Sequence, residues 1–168
     1  MTIPEKNFEG QIVVVTGGTK GIGRVIAENF LRVGAEVVVC ARNAPEGPIE
    51  CDDRQAKFIT CDVRDYEQIK AVIALCDQEY GKLDVLVNNA GGAPPADSST
   101  ASERFTRSVI DLNLVSPILF SQEAANLIRK SSGTGVILNI SSVSGMRANP
   151  LGVAYGAAKA GVINATET

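Results

Sequence analysis

The chain has 168 residues, 45% apolar and 21% charged, which is the size and balance of one folded domain with a sizeable core. A net charge of −3 and an aromatic content of 5%, with no Trp, argue against duplex DNA or a base-stacking nucleic-acid surface as a partner. With no His, and no CxxC pair among Cys40, Cys51, Cys61 and Cys76, a zinc site of the usual Cys/His kind is excluded and no metal is expected.

In chain order, Met1 to Gly10 carries Pro4, Glu5, Lys6 and Glu9 and is unlike a signal peptide. Gln11 to Thr16 is a short β-branched run between glycines, the mark of a strand buried on both faces. Ile22, Val25, Ile26, Phe30 and Val33 then recur at helical spacing, closed by Gly34. Glu36 to Ala41 is a second buried strand. Arg42 to Gln55, with Pro45, Gly47 and Pro48, is expected to be loop. A third strand runs from Lys57 to Cys61, an amphipathic helix from Asp65 to Tyr80, and a fourth strand from Leu83 to Asn88. Gly91 to Ser99 is loop, Ser102 to Lys130 one long helical region, and Val136 to Ile140 a fifth strand; from Val153 the chain is helical again. No apolar run approaches the roughly 20 residues that cross a bilayer. The cysteines are read as reduced and structural, in a cytoplasmic protein.

Strands alternating with helices predict an α/β fold, with a parallel sheet between two helical layers. The doubly wound order is expected. That template has about six strands, and the pattern supplies five. The whole chain, 1–168, reads as a single domain.

Thr16-Gly17-Gly18-Thr19-Lys20-Gly21-Ile22-Gly23 joins the first strand to the first helix. Glycine there permits a tight turn and close approach of phosphate to backbone amides, and the helix N-terminus adds partial positive charge. Glycine also marks ordinary strand–helix turns. Its position after the first buried strand is the context a dinucleotide site requires.

The spacing is TGxxxGxG, and here the chain resembles the short-chain dehydrogenase/reductase (SDR) family. Thr16, Gly17, Gly21 and Gly23 match that cofactor motif, with Thr19, Lys20 and Ile22 inside the turn. Cys61-Asp62-Val63 is similar to the family's adenine-contacting segment. Asn88-Asn89-Ala90-Gly91 matches its NNAG signature, which steadies the sheet and lines the cofactor cleft. Asn113 stands where the family carries a catalytic Asn. Asn139 to Gly145 looks like its NISS segment, with Ser142 thirteen residues before Tyr155. Tyr155-Gly-Ala-Ala-Lys159 is the YxxxK motif. The resemblance implies a Rossmann fold and an NADP(H)-binding domain, and runs from Gly10 to Thr168.

The residues suit that chemistry. Hydride transfer to a carbonyl leaves charge on oxygen, and a Tyr with a reference pKa of roughly 10 can donate a proton if an ammonium stabilises its phenolate. Tyr155 and Lys159, four apart, project from one face of a helix. By resemblance, Tyr155 is the acid or base, and Lys159 depresses its pKa and holds the nicotinamide ribose. Ser142 hydrogen-bonds the substrate carbonyl, and Asn113 holds a water linking Lys159 to solvent. Taken singly, each has a plainer reading: Ser142 a turn cap, Asn113 a polar group satisfied locally, Tyr155 an interface aromatic, Lys159 a solvated charge. Together and in order, the functional reading prevails.

An acid at the end of the second strand would bind the ribose hydroxyl of NAD and repel a 2′-phosphate. Ala41 stands there, followed by Arg42, and Lys20 adds a second cation. Both resemble NADP-preferring members, a reading that outweighs the plainer one of Arg42 as a loop cation. The implied activity is an NADP-dependent oxidoreductase acting on a ketone or secondary alcohol, with a 3-oxoacyl-thioester reductase or related ketoreductase the nearest general likeness. A homo-oligomer, dimer or tetramer, is implied through the helices carrying Asn113 and Tyr155. Family members continue with further strands and substrate loops, so the chain reads as incomplete at its C-terminus, its fifth strand an open edge. The alternatives are a silent NADP-binding fragment that needs the missing C-terminus or a partner chain, and a remnant that does not fold alone.

Overall fold

The computed structural model describes residues 7–168, so the reading of Met1 to Gly10 lies outside the described residues as far as residue 6. Strand β1 (Ile12–Thr16) is buried at every position, and helix α1 (Gly21–Arg32) and strand β2 (Glu36–Ala41) follow. A hairpin of β3 (Glu50–Cys51) and β4 (Arg54–Gln55) precedes β5 (Lys57–Thr60). Next come α2 (Tyr66–Tyr80), β6 (Val85–Asn88) and α3 (Glu103–Ile110). A π-helical turn, Asp111–Val115, joins α3 to α4 (Ser116–Ser131). Strand β7 (Val136–Asn139), a 3-10 turn (Val143–Gly145) and α5 (Val153–Glu167) complete the chain.

The main sheet is parallel throughout, in the order β5-β2-β1-β6-β7. This is the doubly wound order expected. On one face Val13, Val15, Val37, Val39, Val85 and Val87 pack with Ala27 and Leu31 of α1. On the other, Val14, Val38 and Leu86 meet Ile69 and Val72 of α2 and Phe120 and Leu127 of α4. Alternate residues of each strand feed opposite layers, which is why the strands read as unbroken apolar runs. The order reverses at β1, between β2 and β6, and a doubly wound sheet binds its ligand at that crevice, beyond the strands' C-terminal ends.

Three segments differ from the sequence reading. The stretch Arg42 to Gln55 is not all loop: Glu50 pairs with Gln55 and Cys51 with Arg54, anchored by buried Ile49. The region Ser102 to Lys130 is not one regular helix, because the π turn interrupts it. Pro117 is the physical reason: it has no N–H to donate four residues back to the Asn113 carbonyl, so the ladder shifts register upstream. The Ser116 hydroxyl takes the Leu112 carbonyl instead, at 2.8 Å. The 3-10 turn after β7 was not anticipated. Elsewhere element ends move by only one or two residues, as fraying ends do.

Strand β7 is the sheet's edge, and on the α1 side its Val136 and Leu138 are 51% and 45% exposed. They stand in register with buried Val85 and Val87, so the apolar face continues past the helix that covers it.

All four cysteines are free. Burial pushes the Cys76 thiol up to about 12, whereas an unfolded chain's thiol titrates at roughly 8.5. Both states hold the proton at neutral pH, and only the unfolded state loses it as pH rises. The stability tied to Cys76 is therefore intact below about pH 8.5 and is lost above it by about 1.4 kcal/mol per unit. Lys159, whose value burial lowers, acts in the opposite sense. Urea midpoints from about pH 8 to 10 are expected to fall more steeply in the native chain than in Cys76→Ala; equal slopes would clear Cys76 of the effect.

Candidate active site and cofactor cleft

The glycine turn is built as its sequence requires. Gly17 and Gly21 take φ of +66° and +57°, a left-handed backbone that side chains disfavour. Gly18 is buried against Val39, where a Cβ would lie 2.7 Å from the valine methyl. Gly23 packs on the Gly17 carbonyl and the Asn89 amide, with no room for a Cβ. The N-cap of α1, Lys20, makes no side-chain capping bond. A Cβ on Gly21 would meet nothing within 4 Å, so the turn opens on free space at uncapped helix amides. Lys20 and Ile22 are exposed at its rim, and Thr19 is half-buried. These residues fit the pyrophosphate of a dinucleotide.

The NNAG segment is laced to that turn. The Thr16 hydroxyl accepts from the Asn89 and Ala90 amides at 3.0 and 2.9 Å and donates to the Val87 carbonyl at 3.4 Å. The Asn89 side chain donates to the carbonyls of Thr16 at 2.9 Å and Gly17 at 3.3 Å. Asn88, buried, donates to Asn139 Oδ1 at 2.8 Å and to Ser121 Oγ at 3.0 Å, tying β6 to β7 and α4. Thr16 and Asn88 belong to the sequence motifs by position, with no partner assigned by the sequence. The signal available was a hydrogen-bonding side chain inside each buried run, which must find a partner.

Asn113 is fully buried in the π turn. Its Oδ1 accepts from the Gly92 amide at 2.7 Å, and its Nδ2 donates to the carbonyls of Gly92 at 3.0 Å and Val109 at 2.9 Å. The side chain is thus satisfied locally and clamps the loop after β6. The Asn113 group without an α-helical donor is its carbonyl, because Pro117 lacks the N–H. Gly91 lies between Asn113 and Lys159: a Cβ there would stand 2.8 Å from Asn113 Oδ1 and 3.4 Å from Lys159 Nζ.

Lys159 is 5% exposed, which rules out a solvated helix charge. Its Nζ donates to the Ile140 carbonyl at 2.7 Å, and the Ser141 hydroxyl donates to the Lys159 carbonyl at 3.0 Å. Burial away from any carboxylate holds its ammonium below the usual lysine range. Nζ lies 5.8 Å from the Tyr155 ring centroid. Tyr155 is half-buried, and its hydroxyl has no hydrogen-bond partner among the described residues. Ser142 caps the 3-10 turn by accepting the Ser144 amide at 3.2 Å, which leaves its O–H free to donate. The structure thus gathers Tyr155, Lys159, Gly91 and Asn113, with Ser142 beginning the turn that packs on α5.

At the far end of the cleft, Val63 is buried and Asp62 half-buried. Arg64 grips the Asp62 carboxylate and holds it below the usual carboxylate range, with the charge of exposed Arg42 adding to the effect. A concavity of about 680 Å³ lies here, lined by Asp62, Arg64, Gln68 and Asp111. Among the described residues no three His, Cys, Asp or Glu gather to hold a metal, and no helix is long and apolar enough to cross a membrane.

A sequence profile described as short chain dehydrogenase matches residues 11–168. The chain is 38% identical over 167 residues to a 3beta-hydroxysteroid dehydrogenase of Mediterraneibacter gnavus, covering 95% of this chain and 59% of that protein. It is 37% identical to an L-fucose dehydrogenase of Oryctolagus cuniculus, covering 95% and 56%. Among solved structures, the aldohexose dehydrogenase of Thermoplasma acidophilum superposes with a TM-score of 0.88 at 34% identity, covering 98% of this chain and 62% of that one. The chain therefore spans somewhat over half the length of these curated relatives.

Proposed function

Since the chain belongs to the short-chain dehydrogenase family, we propose that it carries the NADP(H) site and the proton-transfer residues of an oxidoreductase acting on a ketone or secondary alcohol. The observation that supports this best is the buried, carboxylate-free ammonium of Lys159 beside Tyr155, on the helix that faces the Gly91–Asn113 contact. A lysine without a counter-ion is costly to bury, and proton transfer explains why one stands there.

A nicotinamide dinucleotide held by the glycine turn and the NNAG segment would supply the hydride. The rest is done by this chain's residues. The Tyr155 hydroxyl donates its proton to the carbonyl oxygen in reduction and takes it back in oxidation. The Lys159 ammonium favours the phenolate and would hold the ribose hydroxyls of a bound dinucleotide. The free Ser142 O–H donates to the substrate oxygen, where charge develops. A water that returns the proton to Lys159 is held by the Asn113 carbonyl.

Ala41 offers no carboxylate to a ribose, and Arg42 with Lys20 offers two exposed cations to a 2′-phosphate. This supports NADP(H) over NAD(H). A charge-assisted contact contributes about 1.5–3 kcal/mol, or roughly 10- to 100-fold in affinity. Titrating with NADPH and NADH is expected to show a preference of that order, and Arg42→Ala to remove most of it. A ratio unchanged by the substitution would return Arg42 to the status of a loop cation.

The substrate is a small carbonyl compound or alcohol. A 3-oxoacyl-thioester reductase is one likeness; the steroid and sugar names of the relatives supply others, and a carbonyl panel decides among them. A dinucleotide-binding chain without turnover is the alternative. The four free thiols support a reducing compartment, the cytoplasm. Ile118 and Val115, exposed on α4 and the π turn, support subunit pairing along that helix in a dimer or tetramer.

A further inference from the structure

Four large apolar side chains are exposed within one short stretch: Val143, Met146, Leu151 and Val153, each between 54% and 77%. Single exposed apolar residues need no explanation, but a cluster marks a surface that something covers. This stretch joins Ser142 to Tyr155, so the cluster adjoins the proton-transfer residues at both of its ends.

Packing keeps it there. The 3-10 turn lies against α5: a Cβ on Gly156 would stand 2.8 Å from the Ser144 carbonyl oxygen, and one on Gly145 2.7 Å from the Lys159 carbonyl carbon. Val143 opens that turn and Met146 closes it, so both are held beside the helical turn from Tyr155 to Lys159. The other half of the stretch is tied to the loop after β6. The Ala96 amide donates to the Leu151 carbonyl at 2.9 Å, and the Ser98 hydroxyl to the Pro150 carbonyl at 3.1 Å. Asn113 clamps the same loop at Gly92, and its run Ala93-Pro-Pro-Ala96 carries no hydrogen-bonding side chain.

The polar side chains of the two segments are largely engaged with one another. Ser98 takes the Pro150 carbonyl, and the Asn149 amide donates to Ser144 Oγ at 3.3 Å. Asp97 Oδ1 accepts from the Ser99 amide at 2.8 Å and from its hydroxyl at 2.6 Å. A sugar carries a hydroxyl on nearly every carbon and needs a matching set of free donors and acceptors, because a polar group that loses water without a partner costs affinity. A hydrocarbon needs none, and gains by covering the cluster.

We propose that Val143, Met146, Leu151 and Val153 form an apolar wall for the non-reacting part of the substrate, so that the site takes a hydrocarbon-rich ketone or secondary alcohol in preference to a sugar. The inference rests on the oxidoreductase reading above and names the substrate class of that same site.

The test compares cyclohexanol and its methyl, ethyl and propyl homologues with an aldohexose, for the native chain and for Met146→Ser/Leu151→Ser. Oxidation with NADP+ gives kcat/KM, and thermal shifts of the NADP+-loaded chain give affinity without turnover. Melts and a cofactor titration check that the double variant folds. Each added methylene is expected to raise kcat/KM and affinity in the native chain by about three- to fourfold, with the aldohexose at least about tenfold below the propyl compound. In the double variant the increment falls to about twofold or less. A native series flat within about twofold, or an aldohexose that matches the propyl homologue, overturns the inference and leaves the oxidoreductase reading standing. So does a folded double variant that keeps the full increment and changes only its oligomeric state, which would give the cluster to a second copy of the chain. A double variant that keeps both the increment and the oligomeric state overturns it as well. A native chain that binds no NADP(H) and oxidises no alcohol overturns both.

Discussion

Phe in place of Tyr155 is expected to lower kcat for carbonyl reduction by about 10²- to 10⁴-fold, with NADPH affinity and melting temperature nearly unchanged. The separation of these effects follows from the geometry. The Tyr155 ring lies beside the Lys159 ammonium, and its hydroxyl bonds to nothing among the described residues. Phe keeps the ring and leaves no protein donor or acceptor orphaned, so only proton transfer is lost. Turnover of a carbonyl panel, read beside a cofactor titration, checks the expectation. A kcat within about threefold of native would move the proton donor to another residue, since general acid–base catalysis is worth far more than that. A loss of NADPH binding in parallel would make Tyr155 a binding group.

The second large effect is expected from Gly23→Ala, a one-methyl change in α1. Helix propensity alone would favour alanine by about 1 kcal/mol. Packing decides otherwise. The new methyl would fall on the Gly17 carbonyl oxygen, which is backbone, and on the Asn89 amide nitrogen, which already makes two bonds. Neither can yield without displacing the glycine turn from the NNAG segment. Overpacking of this kind costs about 3 kcal/mol, so the melting temperature should fall by roughly 6–12 °C and dinucleotide binding should be lost in the same variant. A stable Gly23→Ala chain that still binds NADPH would show that the contact between α1 and Asn89 is looser than it stands here.

Periodicity carried most of the fold. Valines on both faces of β1 and β2 announce a sheet covered on two sides, and glycines at 34 and 81 close the helices where the pattern ends. The β3–β4 hairpin was hidden because its pairs are two residues long and Pro45, Gly47 and Pro48 dominate the stretch. The π turn was hidden because apolar spacing runs through it; its one sign, Pro117, sits where a fresh helix would also tolerate proline. In the site, residue types at motif spacing were legible for Tyr155, Lys159, Ser142 and the glycine turn. Their partners were not. Thr16 meets residues more than seventy positions away, and the Lys159 ammonium takes a carbonyl that no side-chain code announces. For Asn113 the position was legible and its partners were not, because its side-chain amide meets the backbone of Gly92 and Val109.

The π turn between α3 and α4 also bears on how such a helix tolerates insertions and deletions. A π turn is in effect one extra residue accommodated in an α-helical frame. Deleting a single position between 111 and 115 would let the frame close, with the flanking turns of α3 and α4 kept nearly in phase. The resulting helix would be more regular, yet the amide that clamps Gly92 would leave the cleft. The bulge and the clamp are thus one heritable unit, gained or lost in a single codon step. A chain aligned here with one residue fewer has changed its active-site wall as well as the length of a helix.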